Sequence, residues 1–143
     1  NGVVQGGFRD YYEDGQVKAE GNFIAGKLDG MLKQYRPDGK VQSEEEYSFG
    51  EKKGISRTYF PSGQLEYEGK VVFNVLNGPY KRFYENGKIR EAGENVEGQP
   101  EGVVKIYYDT GVIQAEETYR QGHLIALKEY DKDGKPIVPR KKK

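Results

Sequence analysis

A glycine that returns every 24 residues constrains this chain more than any other feature. Gly15, Gly39, Gly63, Gly87 and Gly111 are spaced by 24, and Gly134 follows after 23. Four residues before each stands an aromatic: Tyr11, Tyr35, Tyr59, Phe83, Tyr107 and Tyr130. Two residues after the first five stands an aliphatic: Val17, Val41, Leu65, Ile89 and Ile113. Six residues before each is a base: Arg9, Lys33, Arg57, Lys81, Lys105 and Lys128. Several columns sharing one period mean a structural repeat, a supersecondary unit that stacks on copies of itself. A second glycine pair marks the other connection: Gly26 with Gly30, Gly50 with Gly54 and Gly98 with Gly102, while Asn74 stands with Gly78. Asn at the first member fits a backbone position of positive φ, which it tolerates better than most side chains. After Gly122 the unit loses a residue and carries Ile125 in place of the second glycine, as expected of a terminal, capping unit.

Between these glycines lie short segments such as Met31–Arg36, Gln64–Val72 and Val103–Tyr108, alternating in polarity and rich in Tyr, Val, Ile and Phe. That is the pattern of strands, and no helical period survives the glycines. The predicted fold is all-β: an elongated, twisted, single-layer antiparallel meander of tandem 24-residue hairpins, with about a dozen strands. Residues 1–134 form the repeat domain and 135–143 a basic C-terminal tail that leaves the repeat at Pro136. Composition agrees. Hydrophobic residues make up only 34%, too few for a thick core, while 20 glycines, 12 tyrosines and 13% aromatics argue for a turn-rich aromatic sheet over disorder.

Two hairpin registers are open. A two-residue type I′ loop at Asp14-Gly15 would place Arg9 opposite Glu20 and Lys33 opposite Glu44. A type I turn with a glycine bulge would instead pair Tyr11 with Val17 and Tyr35 with Val41, leaving Leu32 on the other face. Pro37 and Pro61 favour the bulge, because they then take the first central position where a fixed φ is an asset. Asn86-Gly87 is a type I′ signal pulling the other way. Under the bulge register, Tyr11, Tyr35, Tyr59, Phe83 and Tyr107 share a face with the aliphatics and are expected to be the better buried ladder. Gly15, Gly39, Gly63, Gly87 and Gly111 hold the αL site of the turn.

The segments Tyr11–Lys18, Phe83–Arg90 and Tyr107–Ile113, and the connectors Gly26-Lys27-Leu28-Asp29-Gly30 and Gly50-Glu51-Lys52-Lys53-Gly54, resemble the MORN-repeat variant found in bacterial proteins. The likeness runs from about Gly6 to Gly134. It implies an elongated hairpin array used as a scaffold or protein-contact surface. Bacterial proteins of this variant are often labelled antitoxin components of toxin-antitoxin pairs, others carry export signals, and eukaryotic MORN proteins are associated with membrane-apposed scaffolds. The chain departs from the pattern at Arg36 and Asp131, where a second aromatic is expected, at Asn74, and in lacking the tryptophan common before the aromatic pair.

Catalytic chemistry finds little footing. With no cysteine the chain has no cysteine nucleophile and, with a single histidine, no ordinary zinc site, and that histidine, His123, reads as a surface residue of its connector rather than the base of a triad. The run Glu44-Glu45-Glu46 reads as solvated strand residues, since an acid/base pair needs burial to split its pKa values. No phosphate-cradling glycine pattern opens a helix. We read the protein as a non-enzyme, with no catalytic residue, no cofactor and no metal. With 23 bases against 23 acids, nucleic acid is an unlikely partner, and no apolar run is long enough for an integral membrane span. The four bases Arg140, Lys141, Lys142 and Lys143 read as a solubilising terminus. The base-aromatic alternation reads as structure: basic stems over the rings of the next repeat, with Glu20, Glu44, Glu68 and Glu116 offsetting their charge.

Function is expected on a second ladder, Tyr12, Phe60, Tyr84 and Tyr108, one residue along and so on the opposite face. A single layer cannot bury both faces, and an exposed aromatic ladder marks a contact surface. Its members are expected to be the more accessible, so that replacing Phe60 and Tyr84 by Ser would leave stability unchanged. The expected role is a non-catalytic protein-interaction scaffold, antitoxin-like as one form of it, with the connector loops around Gly26, Gly50 and Gly98 as the other candidate surface. The alternative is a cell-envelope module binding glycan through the aromatic ladders, with peripheral membrane contact also open. The chain begins at Asn1 rather than Met, so an upstream segment is expected to have been removed or left out. An export signal there would place the protein in a bacterial periplasm or envelope, with the cytoplasm as the alternative.

Overall fold

The computed structural model describes residues 4–138. Its first hairpin joins β1 (Gly6–Tyr11) to β2 (Val17–Ile24), and the two-residue β3 (Lys27–Leu28) leads to β4 (Gly30–Tyr35) and β5 (Val41–Ser48). Then come β6 (Glu51–Tyr59) with β7 (Leu65–Val72), the short β8 (Val75–Leu76), β9 (Gly78–Phe83) with β10 (Ile89–Val96), and the short β11 (Gln99–Pro100). β12 (Gly102–Tyr107), β13 (Ile113–Arg120), β14 (His123–Tyr130) and β15 (Pro136–Ile137) complete one open sheet of 15 antiparallel strands, and the described residues contain no helix. Strands pair in chain order, and β3, β8 and β11 each lie beside the strand before them. The all-β meander of tandem hairpins is therefore the fold. Pro136 and Ile137 pair with Tyr130 and Glu129, so the sheet runs past the expected boundary at residue 134. Arg140, Lys141, Lys142 and Lys143 fall outside the described residues.

The hairpin turn carries the glycine bulge. The Gly15 N–H donates to the Tyr12 carbonyl at 3.0 Å and the Tyr12 N–H to the Gln16 carbonyl at 2.8 Å, a type I turn closed by a glycine at φ 92°. Pro37 and Pro61 sit at the first central position of the equivalent turns, and Asp14, Asp38 and Asn86 use their side chains to cap the N–H two residues on. Tyr35 faces Val41, as the bulge requires. Lys33 also faces Glu44, the pairing assigned to the two-residue turn. The two registers are not rivals, because a second bulge drops Gln42 from the ladder and moves the pairing by one residue. Lys18, Glu66, Arg90 and Gln114 are left out in the same way.

The type I′ loop is at the connectors instead. Ile24 pairs with Lys27 around Ala25 (φ 51°) and Gly26 (φ 79°), and Phe49-Gly50, Phe73-Asn74, Glu97-Gly98 and Gln121-Gly122 repeat that geometry. Asn74 has φ 68°, as its replacement of glycine suggests. At the hairpin turn, Gly63 has φ 98° with its nearest side-chain neighbour 3.8 Å from an added Cβ, so substitution there costs backbone strain rather than clash. Gly63→Ala should lower stability by about 1 kcal/mol and Gly63→Asn by less, as chemical denaturation would report.

The buried residues lie on one face, and it is not the expected one. Cross-strand pairs put Tyr11, Arg9, Val17, Glu20, Lys33 and Tyr35 on one side, the ladder face. Ser43, Val71, Tyr80, Val104 and Ala115, the buried side chains, all point to the reverse face. Glycines explain the reversal. Gly21, Gly69 and Gly93 share the 24-residue spacing, with Glu45 in the intervening place and Glu117 in the place after them. Phe8 and Tyr80 lie over Gly21 and Gly93, so closely that an added Cβ would stand 2.7 Å and 3.1 Å from their ring carbons. With no second layer among the described residues, rings laid over glycine let this face cover itself. The ladder face stays half open, and Tyr11 at its end is 56% exposed.

Candidate interaction surfaces

On the ladder face the recurring residues form a polar lattice. Arg9 pairs with Glu20 at 3.1 Å, Lys33 with Glu44 at 3.6 Å and Arg57 with Glu68 at 2.7 Å, each across a hairpin. Two of these glutamates also accept from the next repeat, Tyr35 Oη–H donating to Glu20 and Tyr59 to Glu44, and Glu116 accepts from Tyr130 at 2.7 Å. Glu20, Glu44 and Glu68 thus offset the bases, as the spacing predicts, while Glu116 is engaged by the Tyr130 phenol. The expected stacking of those bases on ladder rings is replaced, because carboxylates hold both the cations and the phenols.

Hydrogen bonding to Glu20, then burial, pushes the Tyr35 phenol up to about 12, and burial followed by the Glu44 bond does the same to Tyr59. Glu20 is held below the usual carboxylate range, first by the Tyr35 bond. A phenol raised on folding gives up its proton more readily when unfolded, so its stabilisation is complete below 10 and lost as pH rises through 12. Urea midpoints should therefore fall between pH 10 and 12, and Tyr35→Phe/Tyr59→Phe should flatten that fall. An unchanged slope in the variant would contradict the lattice.

The second ladder is structural as well. Tyr12 Oη–H donates to the Tyr35 carbonyl at 2.6 Å, Tyr84 to the Tyr107 carbonyl at 2.6 Å and Tyr108 to the Tyr130 carbonyl at 2.7 Å, each reaching one repeat forward. Arg36, where an aromatic is missing, sends Nη2 to the Tyr59 carbonyl at 2.8 Å and so fills the same place. The bulged cations Lys18 and Arg90 lie 5.7 Å and 5.6 Å from the centres of the Tyr12 and Tyr84 rings. Tyr12, Phe60, Tyr84 and Tyr108 are half-buried, as are Tyr35, Tyr59, Phe83 and Tyr107. The expectation that the second ladder is the more accessible one is corrected accordingly. Tyr84→Ser should cost about 2 kcal/mol in denaturant unfolding, through the lost hydrogen bond, ring burial and cation contact.

One exposed apolar surface is the connector edge. Phe49 and Phe73 are 67% and 60% exposed at the tips of successive connectors, with Val75 and Val96 exposed nearby. Both phenylalanines hold φ near 50°, a region costly for any residue with a Cβ. The connectors interlock: the Gly50 N–H donates to the Leu28 carbonyl at 2.7 Å, the Phe49 N–H to Asp29 at 3.1 Å, and the Lys52 N–H to Asn74 at 2.8 Å. Lys53 covers one ring face of Phe73, its Nζ 5.2 Å from the centroid. Sequence reasoning pointed at these loops by their glycines and passed over the residue before each glycine, where the phenylalanines stand.

Glu44 is engaged by Lys33 and Tyr59, Glu45 pairs with Lys52 at 2.7 Å, and Glu46 accepts from the Ile55 N–H at 3.3 Å. His123 is exposed and opens β14. Among the described residues no group of three or more His, Cys, Asp or Glu side chains could hold a metal ion, and no helix is long and apolar enough to cross a membrane. No characterised protein matches the chain closely enough to stand as a relative. The MORN repeat variant family matches at residues 5–25, 28–48, 52–71, 76–94 and 100–121, each span taking in one hairpin. These five units cover well over half of the chain, which belongs to the MORN repeat variant family.

Proposed function

We propose that this protein is a non-catalytic interaction scaffold whose main contact surface is the connector edge. The observation that carries the reading is the placement of Phe49 and Phe73 on adjacent exposed turns, in a backbone region where Asn or Gly would be more stable. A large apolar side chain held at a local cost, with no core to repay it, is supported best by a partner that buries it. MORN repeats generally serve protein or membrane contact, and the partner proposed here is a protein. The narrower form, an antitoxin-like partner of a bacterial toxin, is supported by the likeness of units such as Phe83–Arg90 to the bacterial variant. The half-open rings of Tyr12, Phe60, Tyr84 and Tyr108 form the second surface of this proposal.

A photoreactive p-benzoylphenylalanine placed at position 73, at position 60 or at position 11 in separate preparations tests the choice. Ultraviolet crosslinking in native lysate should give a discrete protein adduct from position 73 and none from position 11. An adduct from position 60 alone would move the surface to the aromatic ladder. No discrete adduct from either position would overturn the scaffold reading.

A second reading, an envelope module that contacts glycan, is favoured by one observation: a tyrosine- and carboxylate-lined groove on the reverse face.

A further inference from the structure

The repeats serve as an internal alignment of the chain with itself. On the ladder face the turn aromatic is common to all units, while on the reverse face two columns within the strands diverge. One such column reads Ala19, Ser43, Tyr67, Glu91 and Ala115, and another Asp10, Gln34, Thr58, Arg82 and Ile106. Residues that every unit needs hold the array together, so those that differ are free to specialise.

The specialised positions converge in space. Tyr67, Tyr80, Arg82, Glu91, Glu117 and Tyr119, contributed by β7, β9, β10 and β13, line a cavity of about 280 Å³ on the reverse face. Tyr67 and Tyr80 stack with centroids 6.3 Å apart, and the Arg82 guanidinium lies 4.9 Å from the Tyr67 ring centre. Tyr80 donates to Glu91 at 2.6 Å and Tyr119 to Glu117 at 3.2 Å, which fixes the direction of each carboxylate. The Tyr67 hydroxyl is enclosed against Gly69 without a hydrogen-bond partner.

We propose that this groove binds a neutral saccharide. The lining chooses among ligand classes by its charges. An anion would meet Glu91 and Glu117, and an organic cation would meet Arg82 already seated on the Tyr67 ring. A polyol needs donors and acceptors together, since each hydroxyl both gives and takes a hydrogen bond. The guanidinium fork and the remaining carboxylate lone pairs supply both kinds, and the half-buried Tyr119 ring offers an apolar platform for the C–H face of a pyranose. The volume lies at the lower end of small-ligand pockets, roughly 300 Å³. The inference deepens the glycan reading and rests on it, but it is independent of the connector edge.

The test is titration of the whole chain with cellotriose, maltotriose and chitotriose, following tyrosine emission, which no tryptophan obscures. At least one saccharide should bind, and both Tyr119→Ala and Glu117→Gln should weaken it by about tenfold or more, whereas Glu13→Gln, in an exposed hairpin turn, should not. Circular dichroism identifies a variant that fails to fold, and Glu117→Gln keeps the test valid if Tyr119→Ala does. Saccharide binding unaltered in both variants would overturn this site and leave the glycan reading standing. Binding of none at ~10 mM would remove both. A lysine-rich peptide that binds in place of the sugars would reassign the groove to cations and overturn the proposal.

Discussion

Gly93→Val should destabilise the protein by about 3 kcal/mol or more, lowering the melting temperature by roughly 8 °C. A Cβ at Gly93 would stand 2.9 Å from Val104 Cγ2 and 3.1 Å from Tyr80 Cε1. Neither neighbour can yield, since Val104 is 2% exposed and the Tyr80 hydroxyl is tied to Glu91. The two branches of valine would press further into the same space. Gly7 provides the control, because a Cβ there meets only the Gly21 carbonyl oxygen at an ordinary 3.7 Å and its φ is not positive. Gly7→Ala should change stability by less than ~0.5 kcal/mol. Equal effects at the two sites would mean that the reverse face is not the packed one.

An excised unit spanning residues 30–53 should show no cooperative β-structure. Within the array, Tyr35 binds Glu20 of the unit before, and its carbonyl accepts Tyr12; Glu44 receives Tyr59 of the unit after, and the Gly50 N–H reaches Leu28. Excision removes all four together with the neighbours that cover the reverse face. What remains is one hairpin carrying a buried Ser43 but none of the buried apolar side chains, and a lone hairpin is at best marginal in water. Far-ultraviolet circular dichroism of the peptide should be featureless in the β region, and two or three joined units should recover the signal steeply with number. A peptide that unfolds cooperatively on its own would contradict nearest-neighbour stabilisation.

The hairpin repeat was legible because its markers are local: a glycine at positive φ, a proline ahead of it and an aromatic at a constant distance. The bulge at Gln42 was not, since an extra strand residue carries no composition of its own and shows only in pairing. Burial was misassigned for a related reason. Recurring aromatics look like a core, but recurrence marks what each unit asks of its neighbour, and here Tyr12 and Tyr35 provide hydrogen bonds. The core residues are dissimilar from unit to unit, and their signal was the smaller series Gly21, Gly69 and Gly93, interrupted by Glu45 and ended by Glu117. Phe49 and Phe73 were hidden because only the backbone angles reveal that they occupy left-handed positions.

Residues that hold the array are distinct from residues that meet a partner, and the double variant Phe49→Asn/Phe73→Asn tests that separation most directly. Asn-Gly is the preferred pair for the two-residue turn that Phe49 opens, so the variant should gain about 0.5–1 kcal/mol at each position, less the contact of Lys53 with Phe73. Measured side by side, the variant should melt higher than the parent and lose the crosslinked adduct that the parent forms from a probe at position 75. A variant that melts lower would show that Phe49 and Phe73 belong to the fold, and one that keeps the adduct at full yield would place the contact surface elsewhere.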